Sequence, residues 1–331
     1  MTRIGIVTFR RPYWHCEVCG GGHFSDALGD RLPSGQASWS VKSAVARLSV
    51  HLPFGQAVAE IAHLLGVTVS ARSAEGWTEE IGGAYTPLTP TGMEPGPVAD
   101  TVFVEADAIQ VPFRDGWHEA KVMVAWGCRD GDDQPVHYAV GEGHWEDQVA
   151  EIASVARRAG SRLATEIVCI ADGAAPIWTV LSRIWPHSRQ LLDWYHLQEH
   201  LAGVAALLPD GQHWHDAQKA ALAARGPRET FRALSKVTRQ GPTKEAREAA
   251  KKCFMYMYRH RHRMDYPAAR ARGYPIGSGR IESSCKQVVT ARCKRSGMRW
   301  NHPHAQDVLW ARCAYLNNDW NRAIEQARMA A

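Results

Sequence analysis

The segment from residue 101 to residue 192 most constrains the fold, because apolar runs of strand length alternate there with segments of helical period. Thr101 to Val111 (TVFVEADAIQV) reads as a first strand and Glu119 to Gly127 (EAKVMVAWG) as a second. Arg129-Asp-Gly-Asp-Asp-Gln134 supplies a hairpin turn, and Val136 to Val140 a third strand. Trp145 to Ala159 spaces its apolar residues as a helix and stops at Gly160. A fourth strand follows at Glu166 to Asp172 (EIVCIAD), then a helix from Ala175 to Trp185 and a fifth strand at Ser188 to Leu192. Two of these strands carry a carboxylate, Asp107 inside the first and Asp172 at the end of the fourth. Charge in an apolar setting is costly unless it is paired or holds a metal.

The order β-β-β-α-β-α-β, followed by helices, matches a ribonuclease H-like α/β architecture. Its first and fourth strands are neighbours, so Asp107 and Asp172 would be adjacent although they lie 172 − 107 = 65 residues apart. A third carboxylate, Glu282, opens a basic helix-like segment after Gly277-Ser278-Gly279, whose glycines would permit close backbone approach. Two aspartates and a distant glutamate are the hard oxygen ligands that two Mg²⁺ or Mn²⁺ ions need for in-line phosphoryl transfer. A lone aspartate at a strand end is more often a cap or turn former; the ordered triple is a stronger signal.

Charge distribution points the same way. The net charge is only +5, but basic residues far outnumber acidic ones from Arg259 to Arg299, while Asp130 to Glu151 is acidic. Cations for a phosphate backbone beside carboxylates for a metal suit a nucleic-acid enzyme. Arg280, Lys286, Arg292, Lys294, Arg295 and Arg299 are the expected DNA contacts. Trp300 either stacks on an unpaired base or belongs to the core. Cys285 and Cys293 read as buried small hydrophobes. No apolar run has membrane-spanning length and the N-terminus lacks a signal h-region, which gives an expectation of a cytosolic protein without a membrane partner.

Several segments together resemble DDE transposases of bacterial insertion sequences, with the ISKra4 family as the nearest likeness. They are Val104-Glu-Ala-Asp107 with Trp117-His-Glu-Ala-Lys121, Ile170-Ala-Asp-Gly-Ala174 with Trp178, and Leu192-Asp-Trp-Tyr-His-Leu-Gln-Glu-His200. Tyr274-Pro-Ile-Gly-Ser-Gly-Arg-Ile-Glu282-Ser-Ser-Cys-Lys286 with Arg295-Ser-Gly-Met-Arg-Trp300 completes the set. The resemblance spans roughly residues 100 to 320. It implies a catalytic triad of Asp107, Asp172 and Glu282, and double-stranded DNA (transposon ends and target) as partner, bound by a homo-oligomer. It also implies a helical insertion domain splitting the core, so that 100–196 and 273–331 form the core and 197–272 the insertion. Asp193-Trp-Tyr-His196 is also similar to the Asp/Cys-x-x-His element of Mutator-like and IS256-like transposases. His196 would contact a scissile phosphate or orient a water, or else the Asp193–His196 pair only caps the next helix. Rival readings are a non-catalytic DNA-binding derivative, another ribonuclease H-like nuclease, or a structural interaction protein.

Ahead of the core, residues 1–35 hold Cys16-Glu-Val-Cys19, half of a zinc site, with His15 and His23 nearby. Zinc and two free thiols are equal alternatives for it, and the resemblance implies a zinc-ribbon-like element. Residues 36–85 read as helices. Phe54 to Gly66 and Ser70 to Ile81 have helix-turn-helix spacing, which would face Ser70, Arg72 and Ser73 to a DNA groove. A plain helical hairpin gives the same pattern. Residues 86–99 form a proline-rich linker.

Overall fold

The computed structural model describes residues 13–24, 37–85 and 98–331. The linker expected at 86–99 lies outside the described residues except for its last two positions, as does much of 1–35. The chain divides into two compact units. One comprises Met1–Pro87, Gln110–His118 and Gln287–Ala331; the other comprises Leu88–Ile109 and Glu119–Lys286.

The first unit begins with a short antiparallel pair, β1 (Tyr13–His15) and β2 (Gly22–Phe24). Three helices follow, α1 (Trp39–Ser49), α2 (Phe54–Leu65) and α3 (Ala71–Ala84). Gly66 ends α2 at φ 64°, a left-handed conformation that glycine adopts without steric cost. Ser70 starts α3 by accepting the Ser73 N–H at 3.0 Å. Val41, Val45, Ile61, Val67 and Ala74 close a core among these helices. The C-terminal helices α13 (His304–Leu316) and α14 (Trp320–Ala330) belong to the same unit, and α13 packs on α3. Their backbones meet where Gly82 lies against the Asp307 carbonyl, too close for any side chain at that position.

A mixed α/β fold is built on the sheet of β3 (Thr101–Phe113), β4 (Gly116–Arg129), β5 (Asp132–Asp133), β6 (His137–Gly141), β7 (Glu166–Ala171) and β8 (Arg189–Leu192). The strand order is β5-β4-β3-β7-β8, with β6 also pairing β4. β3 therefore neighbours β7, in parallel, and β7 neighbours β8, in parallel. β3 and β4 run longer than their apolar runs suggest. They extend to a two-residue turn at Arg114 and Asp115, because Phe113 is still buried there. The β4–β5 turn sets Asp130 and Gly131 at φ 53° and 88°, the left-handed pair a tight hairpin requires.

In the second unit, alternation along the strands sorts the two faces of the sheet. Val102, Val104, Ala106, Cys169 and Ala171 pack with Ile152, Val155, Ile177 and Leu181, which lie on α4 (Val149–Arg158) and α5 (Ala175–Ile184). A 3₁₀ turn at Trp145–Gln148 precedes α4, where the sequence reads as one continuous helix. On the opposite face Phe103 stacks with Trp126 at 5.1 Å and meets Tyr274 edge-on at 5.3 Å. Glu105 and Asp107, at i+2 and i+4 from Phe103, share that face.

After β8 come α6 (Trp194–Ala205), α7 (Gly211–Arg225), α8 (Arg228–Gln240), α9 (Lys244–Arg259) and α10 (Tyr266–Ala271). They close over Leu197, Leu201, Leu222, Leu234, Cys253, Met257 and Tyr266. The basic segment expected as one helix is broken into α11 (Gly279–Ser284), a π-helical turn at Cys285–Thr290 and α12 (Ala291–Cys293). Wide π turns let a helix carry an extra residue, often beside a functional site.

Candidate active site

The sheet register places acidic residues in a row. Glu105 pairs with Ile170 across β3 and β7, so two further places along set Asp107 opposite Asp172. Ala171 pairs with Leu192 across β7 and β8, which sets Asp172 opposite Asp193 one place on. Asp172 and Asp193 thus stand just past the carboxyl ends of β7 and β8, the edge where open α/β sheets place their ligands, and the register continued from Glu105 sets Asp107, midway along β3, beside them. The Asp193 N–H donates to the Ala171 carbonyl at 2.8 Å and ties the last member of the row to the sheet.

Each aspartate has a different environment. Burial raises the Asp107 carboxyl to about 6; the Ala108 N–H, at 2.7 Å, and His196 oppose this, while Asp172 and Glu282 repel and add to it. Asp172 accepts the Ala174 N–H at 2.8 Å, an Asx-type turn that leads into α5. The next residue must be small, because a Cβ at Gly173 would collide with the Tyr256 ring from α9. The Tyr256 hydroxyl is buried without a hydrogen-bond partner, and burial with the nearby Asp172 and Asp193 charges holds it in its neutral form.

Asp193 is fully buried and heavily hydrogen-bonded. It accepts the N–H groups of Tyr195, His196 and Ser278, the Ser278 hydroxyl at 2.7 Å, and the His196 ring at 2.5 Å. These bonds hold its carboxyl below the usual range although burial opposes them. The bond and charge of Asp193 push His196 up to about 9 against burial, with Asp172 contributing, so the imidazole is a cation at neutral pH. The two sequence readings of this pair are not exclusive: Asp193 caps α6 and also charges His196. Gly277 is needed here, because a Cβ would come within 2.5 Å of the Tyr195 ring and 3.4 Å of Asp193. Gly279 meets nothing within 4 Å, so the second glycine of the turn has no such role.

Glu105 is a residue the sequence reading passed over. It is fully buried on the same strand face as Asp107. Its Oε2 accepts the Ile281 N–H of α11 at 2.7 Å, while Oε1 has no partner. Burial raises this carboxyl to about 8, against the Ile281 bond and the Arg280 guanidinium and with help from Asp193 and Glu282. Glu105 is therefore a neutral acid at pH 7 that docks α11, the helix carrying Glu282, onto the sheet. A second carboxylate in the run TVFVEADAIQV was the available signal.

Glu282 is exposed on α11, and its charge is felt at both Asp107 and Glu105. Asp107, Asp172 and Glu282 are the hard oxygen donors a divalent cation takes, but among the described residues they do not form a group whose ligand atoms all lie within 4.8 Å of one another.

The expected DNA contacts do not share one environment. Lys286 and Arg299 are exposed. Arg280 pairs with Asp133 and lies over the Trp126 ring at 4.3 Å. Lys294 sits 5.9 Å over Trp117, and Arg295 donates to the carbonyls of Ala291 and His51. The expectation for Arg292 is corrected, and of the two readings of Trp300 the core one holds. Arg292 is 1% exposed, stacked between Phe54 at 4.6 Å and Trp300 at 4.9 Å, and donates to the Ser49 carbonyl. Trp300 is buried and donates its indole N–H to the Cys293 carbonyl at 3.0 Å. Both hold the first unit together, since a flat guanidinium between two rings packs as an apolar layer. Cys285 and Cys293 are buried.

Cys16 and Cys19 are exposed in the turn between β1 and β2. The Gly20 N–H closes that turn on the Cys16 carbonyl at 2.9 Å. Hydrogen bonds from Cys19 lower the Cys16 thiol pKa, as a metal ligand would need. Among the described residues no third His, Cys, Asp or Glu ligand joins them. At the start of α3, Ser70 and Arg72 are exposed, and the Ser70 hydroxyl is engaged by Ser73.

No family model matches the chain, and no curated protein matches it by sequence. Among solved structures it is similar to a crystal structure of NurA with manganese, at TM-score 0.14 and 11% identity over 75% of this chain and 60% of that one. A second NurA structure gives TM-score 0.13 and 12% identity over 83% and 64%. The chain spans less than two thirds of either NurA chain. At such overlap the likeness bears on neither fold nor chemistry. Among the described residues, no helix is long and apolar enough to cross a membrane.

Proposed function

We propose that the chain is a DDE-type DNA transposase with a ribonuclease H-like core, as its resemblance to the ISKra4 family implies. The observation that carries this reading is the row of Asp107 on β3 with Asp172 and Asp193 past the ends of the parallel β7 and β8, where the Glu282 charge on α11 also acts on Asp107. Asp107, Asp172 and Glu282 would hold two Mg²⁺ or Mn²⁺ ions, which would activate the attacking oxygen and stabilise the leaving one. The His196 imidazolium would bind a non-bridging oxygen of the scissile phosphate, oriented by Asp193. Glu105 would keep Glu282 in register with the strand ends, and the exposed Lys286 and Arg299 would bind flanking phosphates. The partner would be double-stranded DNA carrying inverted repeats, bound by a homo-oligomer. A cytosolic, nucleoid-associated location follows from that partner.

A donor-DNA assay tests this reading. Cleavage at an element end and joining of the 3′-hydroxyl to target DNA should require Mg²⁺ or Mn²⁺ and vanish in Asp107→Ala. Wild-type metal-dependent cleavage in that variant would refute it. Cleavage without sequence-specific ends or strand transfer would point to another nuclease, and binding without cleavage to a non-catalytic derivative.

A further inference from the structure

A cluster of metal-ligating side chains lies within the first unit, at the tip of the β3–β4 hairpin. We propose that Asp115, His118 and His302 bind one transition-metal ion of the zinc class, separate from the carboxylate row.

The local chain brings the three residues together. Asp115 is the second residue of the tight turn, and Gly116 follows at φ 142°. His118 comes three residues later, with Nε2 3.1 Å from an Asp115 carboxylate oxygen. His302 arrives from the segment after α12. The Trp300 N–H donates to the Pro112 carbonyl and the Arg114 N–H to the Trp300 carbonyl, each at 3.0 Å. Those two bonds pin the segment beside the hairpin, and His302 follows two residues on. Its ring lies flat on Phe113, with centroids 3.9 Å apart and planes at 5°. The His118 ring stands edge-on to both, 4.9 Å from His302 and 5.2 Å from Phe113. The His302 imidazole thus stacks on a buried phenylalanine, and the His118 imidazole packs edge-on against both rings.

One ligand atom from each of the three residues lies within 4.8 Å of the others. Zinc–nitrogen and zinc–oxygen bonds of about 2.0–2.2 Å require ligand atoms roughly 3.3–3.5 Å apart in a tetrahedron. A small side-chain rotation closes the gap. The Asp115–His118 pair alone would be an ordinary surface hydrogen bond. The third ligand changes that, because one carboxylate can neutralise only one imidazolium, whereas a divalent ion takes both imidazoles neutral. Two imidazole nitrogens and one carboxylate oxygen favour zinc and its first-row neighbours over Mg²⁺ or Ca²⁺. The exposure of Asp115 leaves a fourth position for water. Such an ion clips the hairpin tip to a segment 302 − 118 = 184 residues later in the chain.

The full-length chain carrying Cys16→Ser and Cys19→Ser, which removes the thiol ligands, is the protein to test. It is dialysed to equilibrium against micromolar Zn²⁺, metal per chain is measured, and the same is done after adding His118→Ala and His302→Ala. The expected result is loss of one zinc equivalent with an unchanged circular dichroism spectrum. Co²⁺ loading should give visible bands without a thiolate charge-transfer band, absent in the double-histidine variant. Asp115→Asn, at an exposed turn, avoids any folding defect and should weaken zinc affinity about tenfold or more. Equal zinc stoichiometry with and without the histidines, or unchanged affinity in Asp115→Asn, would overturn the proposal. Neither result depends on DNA cleavage, so it stands or falls apart from the transposase reading.

Discussion

Asp193→Asn is the sharpest probe of the row of acids. The amide keeps an acceptor for the N–H groups that start α6, and asparagine is itself a good helix cap, so the fold should survive. What it removes is the negative charge 2.5 Å from the His196 ring. That contact is the main reason His196 titrates at about 9 rather than at its ordinary 6.5. Without it, burial draws the imidazole back toward its ordinary 6.5, against the remaining Asp172 and Glu199 charges. At pH 7.5 the ratio of imidazolium to imidazole then falls from about thirty to one toward about one to ten. At full value the shift corresponds to about 3 kcal/mol. The His196 side chain is 38% exposed, so solvent screening reduces the stability effect to about 1–2 kcal/mol. The sign follows from a raised folded-state pKa. The contribution is fully present below about 6.5 and is lost as pH rises through about 9. NMR titration of the His196 ring carbon-bound proton in both proteins gives the two pKa values directly. A wild-type His196 that titrates near 6.5, or one that titrates at the same pH in Asp193→Asn, would refute the reasoning.

Other consequences can be measured independently. Asp107 holds its proton up to about pH 6, so Mn²⁺ affinity measured by calorimetry should weaken about tenfold per pH unit below that point; a flat profile from pH 5 to 7.5 would argue that Asp107 is not a ligand. Because its raised pKa means the ionised form disfavours folding, metal-free wild type should lose stability relative to Asp107→Asn as pH rises from about 4 to about 6. Glu105→Gln, which mimics the neutral acid, should change stability by less than about 1 kcal/mol in urea. Glu105→Ala should cost about 2–3 kcal/mol by leaving a cavity and an unpaired Ile281 N–H. Arg292→Ala should cost about 3 kcal/mol, from lost packing against Phe54 and Trp300 and an unpaired Ser49 carbonyl. Lys286→Ala should leave the melting temperature unchanged and reduce the salt slope of DNA binding by about one.

Local signals were the legible part of this chain. Strand and helix order in 101–192, the Asp130-Gly131 turn, the Gly66 stop and the Ser70 start are all set by residues within a few positions of one another. Hydrophobic period and backbone freedom act over that range, and the sequence displays them directly. Strand ends were less legible, because Phe113 remains buried beyond the apolar run and carries β3 to residue 113. The break in the basic helix was also hidden, since a π turn has no strong residue preference.

Burial of charge was legible only where it interrupted an apolar run. That rule found Asp107 and Asp172, and applied evenly it would also have found Glu105. It could not find the burial of Arg292, whose neighbours in sequence are polar and whose partners Phe54 and Trp300 come from elsewhere in the chain. The sequence by itself determined which residues form strands, which carboxylates are costly, and where the turns fall. Tertiary structure alone decided that Asp193 completes a row with Asp107 and Asp172, that Glu105 docks the helix bearing Glu282, and that His302 meets Asp115 and His118. The physical reason is register: side chains 21, 65 or 184 residues apart become neighbours only when strand pairing and loop bridging fix their offsets, and no local preference encodes an offset.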